Sequence, residues 1–124
     1  MKRNYDLIRD ILLTVEQRPD DGHTITLKTQ EFTDKFPKIT PDELNEHIQM
    51  LVEHGLLEAE PHQFGWFITR ITWSGHDFIE QSRDKTVWEN TKHHAGHFAL
   101  DVFATVLKKF SVERLELFAG SLGL

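Results

Sequence analysis

"TPDELNEHIQMLVEHGLLEAEPHQFGWFITRIT", residues 40–72, contains a helix start, a helix stop and two extended runs in unbroken succession. Thr40 can accept from a free backbone amide, Pro41 suits the first helical position, and Glu43 closes a capping box three residues after the cap. Leu44, Ile48, Leu51 and Val52 then make one apolar stripe, and Gly55 supplies the left-handed residue that ends the helix. "LLEAE", the turn "PHQFG" and "WFITRI" read as a hairpin whose loop is longer than the two-residue ideal. From Ile39 to Thr69 the chain holds neither lysine nor arginine.

Working towards the start, Leu7, Ile8, Ile11, Leu12 and Val15 have the three-and-four spacing of a helix with one buried side. "RPDDG", Arg18 to Gly22, ends it. "HTITL" alternates Thr24 and Thr26 with Ile25 and Leu27, as a half-buried strand does. A brief second helix holds Phe32 and Phe36 and stops before Pro37, since a residue preceding proline is pushed out of helical geometry.

Beyond the hairpin, a long helix is expected from Thr72 or Ser74 through "GHDFIEQSRDKTVWEN", with Phe78, Ile79, Val87 and Trp88 as its main apolar residues. "TKHHAGH" loosens the pattern at Gly96, and a last helix begins near Phe98. Neither an internal repeat nor a low-complexity tract interrupts the chain. The order helix, strand, helix, helix, hairpin, helix is that of a winged helix-turn-helix domain, mainly α with a small three-stranded sheet and additional C-terminal helices. Residues 1–97 would form the winged-helix part, including the long fourth helix, and residues 98–124 an apolar helix of the same domain.

The 124 residues suit one domain, and 39% hydrophobic with 27% charged residues is the composition of an ordinary globular protein. The chain contains no cysteine, which removes disulfides and thiolate chemistry and fits a reducing, cytoplasmic setting. "MKRNYDLIRDILLTVEQ" is punctuated by Asp6, Arg9, Asp10 and Glu16, so it reads neither as a signal peptide nor as a membrane span. The net charge of −6 is uneven: residues 1–80 hold 8 Lys and Arg against 15 Asp and Glu, residues 81–124 hold 6 against 5. An acidic first two-thirds disfavours phosphate backbones and anionic lipid as partners.

The segments "MKRNYDLIRDILL", "HIQMLVEHGLLE" and "ITWSGHDFIEQSRDKTVW" together resemble the domain-of-unknown-function family 2513, common in phage and prophage gene sets. The resemblance covers the first 90 residues and thins beyond His97. Ser82 departs from it, standing where the family pattern leads to an aliphatic residue. The resemblance implies a phage association but no activity, so it transfers no functional residue. "ITWSGHDFI" is also similar to the strand-to-helix junction of winged-helix transcription regulators such as the MarR and PadR groups.

With Leu44, Ile48 and Leu51 inward at about 100° per residue, Asp42, Glu46, Gln49, Met50 and Glu53 point outward. Each carboxylate held about 4 Å from a phosphate would be repelled by roughly 1–4 kcal/mol, whereas DNA binders use Lys and Arg to release counterions. This side of the helix is then either simply solvated or a surface for a basic or apolar protein partner, with Met50, Phe64 and Trp66 as its apolar component. The rival is a DNA-binding transcription regulator, which would use another route, through Lys2, Arg3, Arg9 and Arg70 or the basic positions of the C-terminal part.

His93 and His97 stand four apart and could share a metal if one helix carried both, but a third ligand is not evident. His76 and Asp77 are adjacent and point apart, so Asp77 reads as a helix cap rather than half of an acid-base pair. Arg83, Asp84 and Trp88 read as a polar contact beside an aromatic anchor. Neither a nucleophile motif nor a phosphate loop occurs, and the expectation is a non-enzymatic protein without cofactor or metal. In the last helix Leu100, Phe103, Leu107 and Phe110 repeat at three, four and three residues, beside Val102 and Val106; they either simply cover the winged-helix core or also meet the same helix of a second subunit, and the expectation is a homodimer through them. Lys108, Lys109 and Arg114 are too few for docking on a membrane.

Overall fold

In a computed structural model, which describes residues 2–18, 24–121 and 123, six helices accompany one small antiparallel sheet. In chain order these are α1 (Tyr5–Glu16), β1 (Ile25–Lys28), α2 (Thr29–Lys35), α3 (Pro41–Glu53), β2 (Leu57–His62), β3 (Gly65–Ile71), α4 (Trp73–Ser82), α5 (Lys85–Ala95) and α6 (Leu100–Ser121). The chain divides into two compact units, Met1–His76 and Asp77–Leu124. The sequence-based boundary at 97/98 falls inside the second of them.

In the first unit α1 begins where the Leu7 amide donates to the Asn4 side-chain oxygen. Its buried side holds Leu7, Ile8, Ile11, Leu12 and Val15, the expected stripe, together with Tyr5. The end expected at "RPDDG" lies mostly outside the described residues, as does His23 of "HTITL". In α2, Phe32 is buried and stacks on half-buried Phe36 at 4.6 Å, and the helix stops before Pro37 as expected.

The sheet order is β1-β3-β2. Ile25 pairs with Ile68 and Leu27 with Trp66, while Leu57 pairs with Ile71 and His62 with Gly65. The pairing of His62 with Gly65 leaves Gln63 and Phe64 as a two-residue loop, shorter than expected from sequence. Pro61 does not end β2 because β2 is an edge strand, where a residue without an N–H is tolerated. A register shift at Glu58/Ala59 adds a bulge near the other end.

The hydroxyl of Thr72 opens α4 by accepting from the Gly75 amide at 3.0 Å, and it donates to the Gly55 carbonyl at 2.6 Å. The cap expected at Asp77 is therefore supplied five residues earlier. Gly75 sits so close to the Leu56 carbonyl and Ile71 that a β-carbon would collide with both.

In the second unit the long fourth helix of the sequence reading is two helices. Arg83 and Asp84 separate α4 from α5, because the Asp84 carboxylate accepts from the Val87 amide at 3.1 Å and starts a new helix. Ser82 is fully buried, with its hydroxyl donating to the Ile79 carbonyl at 2.7 Å; a small side chain that bonds its own helix needs no aliphatic replacement there. Phe78, Trp88 and Phe103 form one aromatic cluster, with centroids 5.3–6.1 Å apart. Leu100 and Leu107 are buried as well, so three of the four residues expected at a dimer contact are packed inside the chain, and Phe110 is half-buried against His94. The last helix starts at Leu100, two residues later than expected, and Phe98 stays exposed.

Candidate functional site

The start of α3 is locked locally. Thr40 Oγ1 accepts from the Glu43 amide at 3.2 Å, and Glu43 Oε1 accepts from the Thr40 amide at 3.3 Å, the reciprocal box expected from sequence. At its end Gly55 has φ 73°, and the Leu56 amide donates back to the Leu51 carbonyl at 2.9 Å. Between these ends Leu44, His47, Ile48, Met50 and Leu51 are buried, and Val52 is half-buried.

His47 is a buried residue that the sequence reading passed over. Its Nε2 accepts from the Asn4 amide at 2.9 Å, and its Nδ1 lies 2.7 Å from the Glu43 carbonyl. A carbonyl can only accept and an amide only donate, so the ring is neutral with its proton on Nδ1. The imidazole thereby ties the start of α1 to α3. A signal was present: His47 stands three residues after Leu44 and four before Leu51, a polar residue on the apolar stripe.

Met50, expected outward, is buried. It lies one turn after His47, the residue whose ring bonds the start of α1. Trp66, also expected on the surface, is buried, and its indole N–H donates to Asn45 Oδ1 at 3.1 Å, joining β3 to the opposite flank of α3. The period-two alternation of β3 turns Trp66, Ile68 and Leu27 to one side of the sheet.

The exposed side of α3 consists of Asp42, Asn45, Glu46, Gln49 and Glu53. Gln49 donates to Glu53 at 3.3 Å. Glu43 is occupied by the cap, so Asp42, Glu46 and Glu53 are the outward carboxylates. At the hairpin tip Phe64 is 65% exposed. His62 lies 6.1 Å from it and 4.2 Å from the half-open ring of Phe67. Trp66 is thus removed from this surface, and Phe67, its neighbour in the strand, turns to the other side of the sheet, which leaves Phe64 at the hairpin tip.

Of the cations weighed for nucleic acid, Lys2 and Arg3 are exposed and Arg9 is half-buried in α1. Arg70 is held by Glu58 at 2.9 Å. It lines a cleft of about 160 Å³ with Arg18 and His76, and Arg18 is itself paired with Glu31 at 3.2 Å. Both guanidinium charges in that cleft are therefore offset by carboxylates. In α1, burial pushes the Asp10 carboxyl above its usual range, with the Asp6 charge adding to it and Arg9 and Lys35 opposing.

His93 is in α5 and packs on the ring of His94 at 5.1 Å, whereas His97 lies beyond the helix end, so the pair does not share a helical face. Among the described residues no group of three His, Cys, Asp or Glu side chains could hold a metal. Arg83 donates to Glu80 at 3.0 Å, and Asp84 is paired with Arg114 at 3.3 Å. The bond from the Val87 amide, with the Arg114 charge contributing, holds the Asp84 carboxyl below its usual range. His76 lies 5.7 Å from exposed Trp73. Among the described residues no helix is long and apolar enough to cross a membrane.

The chain belongs to the family described as "Hypothetical protein (DUF2513)", whose model matches residues 2–100. That span takes in α1 to α5 and stops where α6 begins. An uncharacterized protein of Haemophilus influenzae is similar, with 28% identity over 113 residues, 88% of this chain and 91% of that protein. No solved structure matches the chain.

Proposed function

We propose that the first unit is a winged helix-turn-helix module that works as a regulatory adaptor through protein contacts, in the phage or prophage setting that the resemblance implies. The order of its elements and the β1-β3-β2 sheet support the fold assignment. One observation carries the functional reading: the outward side of the helix that would enter a DNA groove offers Asp42, Glu46, Gln49 and Glu53. The nearest arginine after it in sequence, Arg70, is already bound to Glu58. A surface of this sign suits a partner segment rich in lysine and arginine, with Phe64 at the hairpin tip supplying apolar contact. Catalysis has no part in the proposal.

The test has two arms. A photoreactive residue replacing Gln49 in cells should give a covalent adduct with a basic protein. Glu46→Lys should abolish that adduct, while Glu113→Lys on α6 leaves it unchanged. In fluorescence anisotropy with a labelled mixed-sequence duplex, the unaltered chain should not bind, and Asp42→Lys with Glu46→Lys should create salt-dependent binding. Salt-sensitive duplex binding by the unaltered chain that Lys2 and Arg3 substitutions abolish would favour the rival, a DNA-binding regulator using its N-terminal cations.

A further inference from the structure

We infer that the stripe along α6 from Lys108 to Ala119 is where two copies of this chain pair, antiparallel and about a two-fold axis. α6 has 22 residues and α5 has 11, or about 33 Å against about 16 Å at 1.5 Å per residue. The half nearer its start is buried through Leu100, Phe103 and Leu107. Beyond them Val112 is 47% exposed, Leu115 67% and Phe118 61%. One turn apart, these three make a continuous apolar stripe, a feature that marks an interaction site when it stands in water.

The charges beside the stripe identify what covers it. At about 100° per residue, Lys109 and Glu116 fall on the same flank, two turns apart, and both are exposed. Let two α6 helices run antiparallel with the axis crossing between residues 113 and 114. Val112 of each copy then meets Leu115 of the other. The axis is normal to the plane of the two helices, so each flank faces its own counterpart. Lys109 of one copy comes within about 3 Å, measured along the helix, of the second copy's Glu116. Their long side chains span that offset, and symmetry makes the contact twice. Lys108, on the stripe itself, falls opposite the small Ala119 of the second copy, where its stem can lie on the surface with the ammonium in water. One patch thus supplies both halves of a complementary contact, as an isologous interface requires. The paired residues differ from those the sequence suggested, of which Leu100, Phe103 and Leu107 are interior.

Multi-angle light scattering on the full chain, from low micromolar concentration upward, tests this. The expected mass is twice the 14.5 kDa of one chain. Leu115→Glu should leave single chains, and Lys109→Glu or Glu116→Lys should each weaken association by about tenfold, because two like-charge contacts replace two attractive ones. An equimolar mixture of the two charge variants should associate again, since each contact in the mixed pair joins opposite signs. All three positions are exposed helix sites, and circular dichroism verifies that the variants fold. Single chains throughout the concentration range would overturn the proposal. A dimer indifferent to Leu115→Glu, or charge variants whose mixture does not reassociate, would overturn it equally.

Discussion

Replacing His47 by alanine removes a fully buried ring that bonds through both nitrogens, and the cost can be worked out from those bonds. The lost ring and the cavity it leaves are worth about 2–3 kcal/mol, in line with other large-to-small core changes. The Glu43 carbonyl loses little, because as a helix-interior acceptor it keeps the backbone amide four residues on. The Asn4 amide loses its partner outright, which costs about 1–3 kcal/mol when no water reaches it; Asn4 is half-buried, so the lower end applies. The sum is about 3–4 kcal/mol. His47→Gln places an oxygen near the former Nε2 and keeps the Asn4 bond, so its cost should be about 1–2 kcal/mol. His47→Asn reaches only towards Glu43 and should fall between Gln and Ala. Urea denaturation followed by circular dichroism gives all three values. A loss below about 1 kcal/mol for alanine, or an asparagine variant more stable than the glutamine one, would refute the assignment of the Asn4 bond as the main polar contribution.

Thr72→Val should cost about 1–2 kcal/mol, because it removes the bonds to both the Gly75 amide and the Gly55 carbonyl; Thr72→Ser should recover most of this in the same denaturation assay. Gly75→Ala should destabilise by about 2 kcal/mol or more through collision with the Leu56 carbonyl and Ile71. Asp10 is raised in the fold above 3.8, so its ionised form disfavours folding. Its contribution is lost as pH rises through the folded value, and Asp10→Asn should raise the melting temperature at pH 7 but not at pH 3. Asp84 is lowered below 3.8, so the stability it contributes is present above that value and lost as pH falls through the folded one. Asp84→Asn should remove that part of the acid sensitivity, read as a flatter melting temperature between pH 5 and pH 2.

What could be read from sequence was written in short-range chemistry. The start of α3 follows from Thr40, Pro41 and Glu43, its end from Gly55, and the buried side of α1 from five residues at helical spacing. What could not be read depends on neighbours distant in sequence. The helical wheel gives the direction of Met50 but not whether its flank is covered. Trp66 stands in an alternating strand that could have turned either side outward, and Asn45, twenty-one residues earlier, holds its indole. Pro61 and Gly65 look like turn residues, yet β2 continues through Pro61 because only one of its edges is paired. Asp84 lacks the glutamate three residues later that made Thr40 unmistakable, so the break between α4 and α5 had a weak local sign. In α6 the spacing of Leu100, Phe103 and Leu107 serves equally for packing within one chain and between two, and periodicity alone does not separate them.

A solvated helix face and a docking face can carry the same residues, and the backing of α3 bears on the difference. One flank is tied to the start of α1 by the His47 bond, the other to β3 by the Asn45 bond, and its end is held where Thr72 bonds the Gly55 carbonyl. A helix that only covered a core would need its buried stripe and its caps. The two flank bonds add fixed orientation, and they place Asp42, Glu46 and Glu53 on a surface that would not need to reorganise to receive the cationic partner we propose. Ordering that is already present in the free protein is subtracted from the cost of binding. Asn45→Ala, which frees the Trp66 indole while leaving every outward carboxylate in place, therefore separates the two roles. It should lower the yield of the Gln49 photo-adduct if docking relies on a fixed face. An unchanged yield, with β3 measurably loosened in hydrogen exchange, would mean that the charges act without that rigidity.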